Sequence, residues 1–165
     1  MPKTTLERLD ENAKVWIFGA DRPLTEGEHE RFRAMLDRHL AGWTAHGAPV
    51  TAAAELREGR LLIVAADSTA HPSGCSIDTL FDLLRQAERE LGVSLLDSTP
   101  LFYRRGDGSI ASATRAEFRR LVEQGEISGD TVVFDNSVDR LGDLRNGAWE
   151  KRARDSWHAA AFGIG

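Results

Sequence analysis

Cysteine is nearly absent from this chain. Cys75 is the only one among 165 residues, which excludes an internal disulfide and any zinc site built on several thiolates. Lysine is almost as scarce, occurring only as Lys3, Lys14 and Lys151, so the basic charge is carried by arginine. With a net charge of −5, the composition gives no broad basic surface for nucleic acid. Long apolar runs are missing too. The longest, Leu61 to Ala66 (LLIVAA), is far short of the roughly 20 residues a membrane-spanning helix needs. The polar start MPKTTLERLDENAK lacks the apolar stretch of a signal peptide. We therefore expect a cytoplasmic protein, monomer or homodimer, that engages neither nucleic acid nor membrane.

What is present is an ordinary globular pattern, 41% hydrophobic and 28% charged. A chain of this length buries roughly 70% of its unfolded surface and folds without metal or disulfide. Ala13 to Phe18 (AKVWIF) predicts a first strand. Thr25 and Glu28 form a capping box, opening a helix with Phe32, Met35, Leu36, His39, Leu40 and Trp43 on one face and Gly42 at its end. Val50 to Arg57 and Arg60 to Ala66 predict a hairpin turning at Glu58 and Gly59. A second helix begins within Ser73 to Ser76 and buries Ile77, Leu80, Phe81, Leu84, Ala87 and Leu91. Thr99 to Arg105 predicts a further strand, turning through GDG (106–108) into a return near Ile110.

The order β-α-β-β-α-β is the split βαβ arrangement of ferredoxin-like folds. The expected architecture is α+β: a ferredoxin-like core over 1–112, its fourth strand beside the first, and a helix-strand-helix extension over 113–165 packed on it. In the extension, Thr114 and Glu117 cap a helix burying Phe118, Leu121 and Val122, and Thr131 to Phe134 predicts a strand. Leu141 to Phe162 reads as short helices anchored by Trp149, Trp157 and Phe162, with the basic run KRAR (151–154) on a solvated helix face.

This topology puts loops 42–49 (GWTAHGAP) and 67–78 at the same end of the sheet. Trp43 and His46 should then approach His71, Gly74, Cys75, Ser76 and Asp78. The leading reading is a site there for a small anion or a protein partner. Backbone amides of Gly74, Cys75 and Ser76 at a helix start favour an anion, and the competing reading is a self-capped helix. The rival functional reading makes Cys75 the thiol of a cysteine-dependent enzyme or redox sensor, with His46 or His71 as base; packing of Cys75 as a small buried residue competes with it. A mixed metal site of His46, His71, Cys75 and Asp78 needs too many coincidences, so no cofactor and no metal are expected. Ser156 and His158, two apart, should not face each other on a helix.

The segments VWIF near the start, WTAHG (43–47), GCSID (74–78), LLD (95–97), TVVFDN (131–136), WE (149–150) and SWH (156–158) resemble a family of small bacterial proteins familiar from Bacteroidetes. The resemblance covers nearly the whole chain. Members are uncharacterised and sometimes labelled "ABC transporter ATPase", but this sequence has no G-x-x-x-x-G-K-[ST] phosphate loop, so the label implies no catalytic residue here. The chain has KRAR after WE where the family carries a proline-containing stretch. The shorter segment LVEQGEISGDTVVF (121–134) also resembles GYF-like modules, which bind proline-rich peptides, though their aromatic clamp is not evident.

Overall fold

A computed structural model describes residues 5–67 and 74–165. The first sheet contains β1 (Lys14–Gly19), β4 (Ala52–Arg57) and β5 (Leu61–Ala66) in the order β1-β5-β4, antiparallel throughout. Helices α1 (Glu26–Ala41) and α2 (Gly74–Leu91) lie on one face of it. Between α1 and β4 comes a minimal hairpin of β2 (Thr44–Ala45) and β3 (Ala48–Pro49). The expected capping box of α1 is formed: Thr25 Oγ1 accepts from the Glu28 N–H at 3.2 Å, and the Glu28 carboxylate accepts from the Thr25 N–H at 2.9 Å. The β4–β5 turn also falls where expected, with Glu58 and Gly59 at φ 55° and 64°.

A second sheet contains β6 (Leu101–Arg104), β7 (Ile110–Ala113), β8 (Val132–Phe134) and β9 (Glu150–Arg152) in the order β7-β6-β8-β9. Helices α3 (Arg115–Glu123) and α5 (Trp157–Phe162) cover its far face, and α4 (Leu141–Arg145) packs between the sheets. The result is an α+β protein in helix, sheet, sheet, helix layers. Period-two alternation explains it. In β5, Leu62, Val64 and Ala66 join the core under α1 and α2, whereas Leu61, Ile63 and Ala65 meet Phe102, Ile110, Phe134 and Trp149 of the other sheet. In turn Leu101 and Val133 face a third core with Phe118 and Phe162.

This layering corrects the expected sheet. The split βαβ order of the first three strands is present, but the expected fourth strand, β6, does not lie beside β1. It is central in the second sheet because Leu101 and Phe102 are both apolar and bury opposite faces. The outer edge of β1 is instead occupied by the chain around residue 140: the Val15 N–H donates to Asp139 O at 2.9 Å and the Leu141 N–H to Ala13 O at 3.0 Å. The division expected at residue 112 runs through β7, whose sheet is shared with the extension.

Two sequence readings in the extension also change. KRAR is not a helix face; it holds the end of β9 and a 3-10 turn at Ala153–Asp155, with Arg152 and Arg154 beside Asp130. Trp157 is not an anchor. It is 40% exposed, while the neighbouring His158 is fully buried.

The two sheets are joined by a buried arginine. Arg60, just after the β4–β5 turn, donates from Nε to Ala20 O at 3.1 Å, from Nη1 to Ile110 O at 2.9 Å, and from Nη2 to Ser112 Oγ at 2.6 Å and Asp21 O at 3.3 Å. Close approach is possible at Gly19, where an added Cβ would fall within the Phe102 ring.

Candidate functional site

Loop 42–49 meets the first turn of α2, through Trp43 and Ser76. The Trp43 indole N–H donates to the Ser76 carbonyl at 2.8 Å, which also accepts from Thr79 Oγ1 at 2.7 Å. Trp43 is 3% exposed and packs edge-on against Trp16 at 6.3 Å. Its donor is therefore spent inside the protein, and Trp43 holds the corner together rather than presenting itself to solvent. Nearby His39 is packed against Trp43 at 5.4 Å, and burial lowers its pKa.

The other candidates are not gathered into one constellation. His46 sits exposed at the β2–β3 turn, at φ 52°, followed by Gly47 at φ 79°. Gly74, Cys75 and Asp78 are exposed on the first turns of α2, whereas Ser76 is buried. Cys75 is thus not the packed residue the sequence suggested. The side chain at the third helical position turns inward, and its predecessor faces out. Among the described residues no hydrogen bond or ion pair joins His46, Cys75 and Asp78, and no group of His, Cys, Asp and Glu is arranged to hold a metal. His71 lies outside the described residues.

The corner does form one end of a cavity of about 440 Å³. It is lined by Trp43, Pro49 and Val50 beside that corner, by Arg33, Asp37 and Leu40 of α1, and by Thr5, Leu6 and Glu7. The edge strand β4 also lines it, with Ala52 to Glu55.

Backbone geometry decides what that edge offers. In an antiparallel strand, successive residues turn their N–H and C=O alternately toward opposite neighbours. The Asp67 N–H donates to Thr51 O at 2.8 Å across the β4–β5 pairing. Thr51, Ala53, Glu55 and Arg57 therefore face β5, and Ala52, Ala54 and Leu56 face outward. The outward Leu56 carbonyl lies 3.4 Å from His29 Nε2. Among the described residues, no backbone hydrogen bond reaches the outward groups of Ala52 and Ala54. The outer edge of β1 is covered; among the described residues, no strand pairs with this stretch of β4. The sequence analysis gives Val50 to Arg57 only as one strand of a hairpin and does not single out Ala52 and Ala54, whose alanine side chains carry no chemical signal.

Two further places can be weighed. A cavity of about 690 Å³ on the second sheet is lined by Tyr103, Arg104, Arg105, Leu121, Asp130 and Thr131, among others. Proline-rich segments dock in aromatic-lined grooves, and here Tyr103 is the single aromatic. Ser156 and His158 do form a pair, against the sequence reading: Ser156 Oγ lies 2.7 Å from His158 Nδ1. Ser156 is extended, at φ −117° and ψ 164°, and precedes α5, so the helical spacing rule does not govern it. The pair is buried and lines neither cavity.

Comparison with protein-family models, with curated proteins and with solved structures finds no match to this chain.

Proposed function

We propose that this protein is a non-enzymatic partner-binding module, and that its partner supplies an extended segment that lies along β4 as an added strand. The observation that carries this reading is the pair of outward-facing residues Ala52 and Ala54, which line the groove and whose outward backbone groups have no backbone hydrogen bond among the described residues. Strand addition draws affinity from main-chain hydrogen bonds and selectivity from alternate side-chain positions. Natural sheet edges are usually blunted by lysine, proline, a bulge or a covering segment. The Ala52–Ala54 stretch carries none of these side chains, and its small methyl groups leave room for a neighbouring backbone. Arg33, Asp37, Glu7 and Glu55 provide a polar rim of mixed sign, suited to choosing among partners more than to raw affinity. The buried Trp43–Ser76 contact holds the corner beside the groove in place.

The resemblance to the small bacterial family brings no activity with it, so the reading rests on the groove. Peptides selected from a displayed library against the full chain provide the test. Proline at residue 54 removes an outward N–H without breaking a bond to β5. Ala54→Pro should leave the fold intact and abolish binding, and amide exchange at Ala52 and Ala54 should slow in the complex. Peptides that bind Ala54→Pro as tightly as the parent would overturn the reading. A second copy of this chain pairing through the same edge would appear as a concentration-dependent dimer in light scattering, lost in Ala54→Pro.

The exposure of Cys75 favours one further reading, a thiol enzyme or redox sensor using His46 or His71. Loss of a measurable reaction in Cys75→Ser and in one of the two histidine variants would support it. Unchanged partner binding in Cys75→Ser would separate it from the groove.

A further inference from the structure

Trp157 is the one large hydrophobic side chain exposed among the described residues. Its ring lies flat on His158, with centroids 3.9 Å apart. Two arginines of α3 surround the same spot. The Arg115 guanidinium lies 5.8 Å from the Trp157 centroid and 5.2 Å from that of Phe162, and Arg119 lies 5.3 Å from Phe162. Spaced four apart, Arg115 and Arg119 share one face of the helix.

Nine of the other sixteen arginines have a carboxylate or carbonyl partner, and none of the seven that lack one lies over an aromatic ring among the described residues. Arg104 holds Glu58 and Glu150, Arg22 holds Glu28, and Arg60 donates to three carbonyls and a hydroxyl. Arg115 and Arg119 are exposed and have no carboxylate within ion-pair distance among the described residues. Their guanidinium groups are steadied by aromatic faces instead, which leaves the planar donor forks unspent.

We propose that this α3–α5 face is a docking surface for an acidic protein segment. Carboxylates of the segment engage Arg115 and Arg119, and an apolar side chain beside them covers Trp157. Charge complementarity selects this occupant. Guanidinium forks match carboxylates bidentately, and an exposed tryptophan flanked by arginines has the composition of an interface hot spot. A long polyanion such as nucleic acid is disfavoured, because the chain carries a net charge of −5 and only three lysines. The surface uses α3 and α5, whereas the groove uses α1 and β4, so this proposal stands apart from the one above.

The probe is a short fluorescent peptide of alternating glutamate and leucine, titrated into the full chain by anisotropy, with a lysine–leucine peptide and a single-stranded oligonucleotide in parallel. The acidic peptide should bind and the basic one should not. Binding should weaken at least about tenfold in Arg115→Glu/Arg119→Glu, equivalent to about 1.4 kcal/mol. It should also weaken in Trp157→Ala, fall with added salt, and persist in Ala54→Pro. Trp157→Phe keeps a ring on His158 and should retain most of the binding, which guards against a folding defect in the alanine variant. The proposal is overturned if the acidic peptide fails to bind at about 1 mM, if the double variant binds it unchanged, or if the oligonucleotide binds more tightly and loses that binding in the double variant.

Discussion

Ser156 Oγ and His158 Nδ1 are hydrogen-bonded at 2.7 Å across the entry to α5, in a site where His158 is wholly buried. The other ring nitrogen, Nε2, has no hydrogen-bond partner. This arrangement suits a neutral imidazole, since a second N–H on the buried ring would find no acceptor.

Burial accordingly lowers the His158 pKa from 6.5 to about 4; Lys151 and Arg115 push the same way, and Asp135 opposes them. Between those values the unfolded chain binds a proton that the folded chain does not. Stability from this group is complete above pH 6.5 and is lost as pH falls toward 4, on the order of 3 kcal/mol in all. Urea unfolding at pH 7 and pH 4.5 should show a smaller loss in His158→Gln than in the parent. Equal losses would refute the assignment.

Trp43 is held by both burial and its hydrogen bond to Ser76. Trp43→Phe should cost about 2 kcal/mol, through the lost donor and the volume removed. Trp43→Ala should cost about 3–5 kcal/mol. Denaturant midpoints check both. The alanine variant is therefore a stability probe and a poor test of ligand contact, and a midpoint unchanged in Trp43→Phe would contradict the corner as described.

Gly19 is required by Phe102. A methyl group at residue 19 would overlap the ring, so Gly19→Ala should destabilise by about 1–3 kcal/mol. Phe102→Leu should recover part of that loss. The signature is a double-mutant cycle with coupling of at least about 0.5 kcal/mol. Strict additivity would mean that the sheets do not approach here.

Arg60 gives its donors to acceptors on both sheets. Arg60→Met should cost about 3 kcal/mol, because buried carbonyls are left without partners. Arg60→Lys should rescue only a fraction, since one ammonium cannot reproduce the planar fork. Full rescue by lysine would show that charge alone suffices.

Cys75 should react with a thiol reagent in the folded protein without denaturant, as its exposure requires. Cys75→Ser should leave the melting temperature within about 1 °C of the parent, because nothing packs on an exposed side chain. A large drop would return the residue to the core.

What could be read from the chain by itself was what neighbouring residues decide together. The Thr25–Glu28 and Thr114–Glu117 boxes, the Glu58–Gly59 turn and the buried stripe of α2 all depend on contacts a few residues apart. LLIVAA was legible as a strand buried on both faces because six apolar residues in a row leave no side for water. The meeting of Trp43 with Ser76 was within reach because the split βαβ order places both loops at one end.

Tertiary structure decided the rest. Leu101 and Phe102 mark β6 as buried, but nothing local says whether it joins β1 or founds a second sheet. That choice depends on β7, β8 and β9 arriving from up to fifty residues away. β9 itself carries Glu150, Lys151 and Arg152, a polar run with no strand periodicity, and exists because Val132 to Phe134 supplies its pairing partner. Ser156 and His158 meet because the chain is extended at the helix entry, a conformation set by docking. That no strand among the described residues pairs with the outer edge of β4 depends on where every other strand goes, and only the assembled sheets determine that.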